Sequence, residues 1–186
     1  IITLKDVNGK IEPLSNYICS GGGGGGTSPF EYNANTTGIQ PVLGANYASG
    51  DNATIGGGCY NDANGNFSTI GGGFDNNASY CATIGGGVQN NASGGVSIIG
   101  GGKTNTASGY ASTIGGGAFN TASNYVSTIG GGICNIASGN RSTIGGGRQN
   151  TASNYFATIG GGCQNIASGA CSTIGGGFYN TASAFF

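Results

Sequence analysis

The tetrapeptide Ile-Gly-Gly-Gly recurs nine times, opening at Ile55, Ile70, Ile84, Ile99, Ile114, Ile129, Ile144, Ile159 and Ile174. The spacing is fifteen residues throughout, except for fourteen between Ile70 and Ile84, where the residue expected after Ser79 is missing. A short exact period is the mark of a stacked architecture, in which each repeat is one unit too small to bury an inner face alone. The repeat therefore constrains this chain more than its length or overall composition does.

The columns of the repeat assign sides to the residues. Six residues after each isoleucine stands an asparagine: Asn61, Asn76, Asn90, Asn105, Asn120, Asn135, Asn150, Asn165 and Asn180. Eight after it stands alanine, from Ala63 to Ala182, and two before it a small residue, from Ala53 to Ser172. The residue immediately before is threonine everywhere except Ile98. Side chains alternate faces along a strand, so isoleucine and the small residue share an inner face while threonine points away. Asparagine and alanine form a second inner pair on a second short strand. The three glycines, and the Gly or Asn column that follows the Ala-Ser step, are assigned to the corners. The expected fold is all-β: a parallel β-solenoid or β-roll of about nine fifteen-residue coils. With coils roughly 4.8 Å apart the rod is about 40 Å long, and its asparagines can hydrogen-bond along the stack.

Glycine supplies 43 of the 186 residues, about three times ordinary usage. Such an excess requires dense backbone pairing to offset its conformational entropy. The three-residue glycine period of collagen is absent.

The expected interior is thin, which turns attention to the outside. Three residues before the isoleucines stand Phe67, Cys81, Val96, Ala111, Val126, Phe156 and Cys171, interrupted by Asn52 and Arg141. One residue earlier come Tyr80, Tyr110, Tyr125, Tyr155 and Phe185. Outward apolar stripes require a covering partner, so Phe67, Tyr80, Val96, Tyr110, Tyr125, Val126, Tyr155, Phe156 and Phe185 are the candidate interface or ligand stripe.

Stretches such as "STIGGGAFNTASN" resemble the head repeats of trimeric autotransporter adhesins, the YadA-like heads, and similar repeats of phage and virus tail fibres. The shared features are the Ile-Gly step and the later Ala-x-Gly step, from about Ala48 to the end of the sequence. The unit here is one residue longer than is usual in that family. The resemblance implies a left-handed roll, association of three rolls side by side, and a non-enzymatic fibre at a cell surface or on a virion.

Residues 1–20, with Asn8-Gly9 between alternating segments, read as a β-hairpin extension or cap. Residues 21–38, containing six consecutive glycines, read as a Gly-rich linker. Residues 39–186 are the repeat domain. The sequence stops at "TASAFF", inside a repeat, as expected of a piece of a longer protein or of a subunit continued by a neighbour.

The composition argues against catalysis. There is no histidine, and all six carboxylates (Asp6, Glu12, Glu31, Asp51, Asp62 and Asp75) lie in the first 75 residues. The Ser and Thr hydroxyls have no base beside them in sequence, and no glycine run continues into the Gly-Lys-Ser/Thr of a phosphate loop. The repeat lacks the aspartate of calcium-binding glycine-rich repeats. No cofactor or metal is expected. Beyond Asp75 only Lys103, Arg141 and Arg148 are charged, too sparse for a nucleic-acid surface, and no apolar run is long enough to span a bilayer as a helix. The six cysteines, Cys19, Cys59, Cys81, Cys134, Cys163 and Cys171, form no Cys-x-x-Cys pair and read as small buried apolar side chains. Asn-x-Ser/Thr sequons stand at Asn35, Asn52, Asn66, Asn77, Asn91 and Asn140.

The functional expectation is a rod-like structural and adhesive fibre segment, extracellular or on a virion, whose partner is itself as a homotrimer and whose outer columns can meet a host-surface glycan or protein receptor. The alternative is a subunit that polymerises end to end into a fibril. A third reading is a glycan- or ice-binding solenoid, although the outward neighbours of the threonine column are Phe, Cys, Val or Arg rather than a second threonine.

Overall fold

The computed structural model of the protein describes residues 3–5, 11–13, 30–32, 39–41 and 45–184. Strands β1 (Thr3–Lys5) and β2 (Ile11–Pro13) pair antiparallel, with Leu4 opposite Glu12. The Asn8-Gly9 turn between them, the six-glycine run, Cys19 and Phe185 lie outside the described residues. Strand β3 (Phe30–Tyr32), inside the segment read as linker, pairs antiparallel with β4 (Ile39–Pro41).

From residue 45 onward the chain is a parallel β-solenoid. Each coil carries two strands of two residues, one ending in the repeat isoleucine and one in the repeat alanine. The isoleucine strands stack in register, with Thr113 beside Thr128 and Ile114 beside Ile129, and the alanine strands do likewise, with Ala122 beside Ala137. The alanine strands form a nine-stranded sheet; the isoleucine strands, with β4 and β3 added at the N-terminal edge, form one of eleven. Strand β4 joins through Ile39, which pairs parallel with Thr54. A third line of contact runs through single parallel bridges four residues after each isoleucine, from Cys59–Phe74 to Cys163–Phe178. The fourteen-residue coil keeps this register: Ile70 still lies beside Ile84 and Ala78 beside Ala92.

Two-residue strands suffice because their partners repeat. A lone pair of such strands cannot hold together in water, but here every coil is paired on both sides except at the ends of the stack. The side-chain sidedness follows the pleat. Isoleucines from Ile55 to Ile159 and alanines from Ala63 to Ala167 are fully buried, whereas the residue before the isoleucine is exposed or half-exposed. The inward column two before the isoleucine is Ser or Ala; Ser68 and Ser142 donate their hydroxyls to the carbonyls of Gly65 and Gly139 at 2.6 and 2.7 Å.

Buried asparagines tie the coils together. The Asn120 backbone N–H and side-chain Nδ2 both donate to Oδ1 of Asn105, at 3.0 and 3.1 Å. Its Nδ2 also donates to the carbonyls of Gly116 in its own coil, at 3.1 Å, and Gly132 in the next, at 2.9 Å. Its own Oδ1 accepts from the N–H and Nδ2 of Asn135. The same set repeats at Asn61, Asn76, Asn90, Asn105, Asn135, Asn150 and Asn165, and Asn180 at the last described coil is exposed.

A core of one isoleucine and one or two alanines per coil has little apolar area to bury, so the asparagines carry a correspondingly large share of cohesion. Replacing Asn120 by Ala leaves the Asn135 backbone N–H and the Gly116 carbonyl without a partner, while Asn105 Oδ1 and the Gly132 carbonyl each lose one bond and keep a backbone N–H, that of residue 120 and that of Ala118. At roughly 1–3 kcal/mol for each buried group left unpaired, the expected loss is about 4 kcal/mol, read as a lower denaturant midpoint in chemical unfolding. The same substitution at the exposed Asn180 is expected to cost less than about 1 kcal/mol.

Candidate interaction surface

The coil turns two of its corners on residues with left-handed backbone. One is the residue three before each isoleucine, where φ runs from 52° to 60° and the occupants are Asn52, Phe67, Cys81, Val96, Ala111, Val126, Arg141, Phe156 and Cys171. The other is the residue five after it, where φ runs from 52° to 58° and the occupants include Tyr60, Asp75, Phe119, Cys134 and Tyr179. The sequence assigned the special corner conformations to glycine and the Gly/Asn column. Only the third glycine of each triplet has positive φ, and none of the Gly/Asn column does. L-residues pay about 1–2 kcal/mol for this region, and a β-branched residue there is an outlier.

Stacking holds the conformation. At each corner the amide N–H is turned along the rod and donates to a carbonyl of the preceding coil: Val126 to Tyr110 and Gln149 to Ile133, both at 2.9 Å, and Phe156 to Asn140 at 3.0 Å. The side chain is thereby aimed outward, so both corners carry exposed apolar residues. Of the stripe read from the sequence, Phe67, Tyr80, Val96, Tyr110, Tyr125, Val126, Tyr155 and Phe156 are all exposed, Tyr80 at 65%. A second exposed column was missed. It comprises Phe74, Ile133 and Phe178 four after the isoleucine, and Tyr60, Phe119 and Tyr179 five after it. The signal was available: if the asparagine points inward, its predecessor points outward.

At the first corner, aromatic rings align along the rod. Tyr110 and Tyr125 stack with centroids 5.8 Å apart and planes 6° from parallel. The next coil has Asn140 in the tyrosine column, and Arg141 occupies the opening. Its guanidinium lies 5.6 Å from the Tyr125 ring, 5.9 Å from Tyr155 and 5.5 Å from Phe156, and Nη1 donates to the Tyr155 hydroxyl at 2.7 Å. The cation thus continues an aromatic ladder through a rung that lacks a ring.

The cysteines correct the sequence reading. None of the five described is buried: Cys59, Cys81, Cys134 and Cys163 are half-buried and Cys171 is exposed, all as free thiols. The inward columns are already filled by isoleucine, alanine, serine and asparagine, so cysteine falls outside them: Cys81, Cys134 and Cys171 on the left-handed corners, Cys59 and Cys163 on the bridged line four after the isoleucine. Among the described residues no group of three or more His, Cys, Asp or Glu side chains could hold a metal ion. No helix there is long and apolar enough to cross a membrane. No known protein family matches the chain, and no curated protein matches it.

Valine at a left-handed corner is conformationally costly, so a gain is expected on relieving it. Val126→Gly should raise the stability of a single rod by about 1 kcal/mol, measured by denaturant unfolding of the unassociated chain.

Proposed function

We propose that this protein is a non-enzymatic structural and adhesive segment of an extracellular or virion fibre, a rod that associates side by side with copies of itself. The supporting observation is the mismatch between its inside and its outside. The core is limited to isoleucine, alanine, serine and asparagine, while nineteen large apolar side chains stand exposed along the described rod. Exposed apolar residues recurring along the outer columns, with polar and cationic residues between them, mark a surface to be covered. Association of three rods, and a left-handed coil, are the expectations that the resemblance to YadA-like heads contributes.

The function follows from mechanics. Parallel backbone ladders and the asparagine column run the length of the rod and resist bending and stretching together. The outer corners vary in sequence from coil to coil without disturbing the ladders, so they are free to supply lateral contacts or meet a receptor. The near-parallel Tyr110–Tyr125 pair offers flat faces on which a sugar ring could stack, which supports a glycan as the receptor class.

Light scattering on a size-exclusion column tests the proposal. The expected species lies near 54 kDa, three times the 18.0 kDa chain. A void-volume polymer that resolves into filaments of single-rod width would replace lateral association by end-to-end assembly. A monomer at every concentration would overturn both.

A further inference from the structure

The three glycines of each repeat are equally invariant along the chain, yet the rod does not need them equally. A Cβ on the first glycine, such as Gly115, would overlap the carbonyl oxygen of Gly130 in the next coil. One on the third, such as Gly117, would overlap the carbonyl oxygen of Gly132, and φ there is 88°. Both columns are therefore fixed by stacking. The second glycine is different. At Gly57, Gly116, Gly131, Gly146, Gly161 and Gly176 a Cβ would meet nothing within 4 Å. At Gly72, Gly86 and Gly101 the nearest atom would lie at an ordinary 3.7–3.8 Å. None of the nine has positive φ. The rod itself would accept alanine or serine at every one of these positions, and every one is glycine.

A second, independent observation concerns the backbone on the same edge. Among the described residues, the N–H groups of the second and third glycines donate no hydrogen bond in any of the nine coils, and the carbonyl of the first accepts none. Neighbouring groups are fully used: the N–H of the first glycine donates to the isoleucine carbonyl of the next coil, as Gly115 does to Ile129 at 2.9 Å. The edge thus presents two unpaired donors and one unpaired acceptor per coil, in straight rows with no side chain over them. It is flanked by the column four after the isoleucine, where Phe74, Ile133 and Phe178 are exposed together with Lys103 and Arg148.

We infer that the glycine edge is a backbone-to-backbone contact between copies of this chain, and that the second glycine is kept because a neighbouring rod occupies the space a Cβ would take. This rests on the lateral association proposed above and names the surface that makes it. The occupant is a second copy for two reasons. The bare positions recur at the rise of one coil over nine coils, and a partner matching them rung for rung has the same rise. The edge also offers donors and an acceptor together, so in each coil two copies can pair the free carbonyl of one with a free N–H of the other. Three residues at about 3.3 Å each make the edge roughly 10 Å wide over about 40 Å of rod, so the ~800 Å² per partner of a stable interface takes in the flanking columns as well. Glycine is retained for the same reason at the crowded axis of collagen.

The test is the triple variant Gly101→Ala, Gly116→Ala and Gly131→Ala in the full chain, with the wild type alongside. Three measurements are made: solution mass over a concentration series, circular dichroism with thermal unfolding, and amide hydrogen exchange. The expected result is an unchanged β-sheet spectrum with association weakened at least 100-fold. The glycine-edge amides should be protected in the wild-type assembly and exchange freely in the variant. If the wild type is monomeric throughout, the lateral-association reading fails and this inference falls with it. If the wild type associates and the variant associates equally well, that reading stands and this inference is overturned, leaving the aromatic corners as the contact. A variant that loses its β-sheet spectrum overturns the premise that the rod tolerates a Cβ there.

Discussion

Hydrogen bonding between identical residues in successive coils is the constraint on which this structure depends. An asparagine carboxamide has one acceptor and two donor hydrogens, and in this rod each is used along or across the stack. Its oxygen takes the backbone and side-chain N–H of the asparagine above; its nitrogen holds the asparagine below and two glycine carbonyls. A buried amide so placed is fully satisfied only when its neighbour is another asparagine at the same position. The column therefore enforces register as well as cohesion, because any slip leaves several buried polar groups without partners. The glycine corner beside it is held by the same amides, so the bare edge is shaped from within.

Much of this was legible in the sequence because the strands obey the period of two. Ile114, Asn120 and Ala122 face inward as the alternation requires, and a residue invariant over nine coils can be assigned a side without knowledge of the turns. The corners were less legible. Nothing local in Val96, Val126 or Phe156 suggests a left-handed backbone; residue type argues against it. What decides the matter is a hydrogen bond to a residue one coil away, whose partner is set by stacking and not by neighbours in sequence. The cysteines were misread for a related reason. A general tendency of free thiols to be buried has no force where the interior has a fixed, already occupied list of positions.

Residue choice on the outside runs against the interests of a single rod in two ways. Large side chains occupy corners whose backbone favours glycine or asparagine, and glycine occupies an edge whose backbone would accept a side chain. Selection for the stability of an isolated rod would reverse both. Their joint occurrence is coherent if the unit being optimised contains more than one rod, with aromatic corners and bare edges as complementary parts of its contacts.

The coil that spans Ile70 to Ile84 is one residue short, and the deficit falls wholly in the turn at Ser79–Tyr80 while both sheets continue unshifted past it. That turn is therefore a place where single-residue deletions are absorbed, whereas the glycine corner, bound on both sides by asparagine, kept its length in all nine coils. A gene made of such units can change by unequal exchange of whole repeats and by small indels at one corner, and the protein it encodes would still close. Length then becomes a freely adjustable trait of the rod, set by copy number, while the cross-section is inherited unchanged.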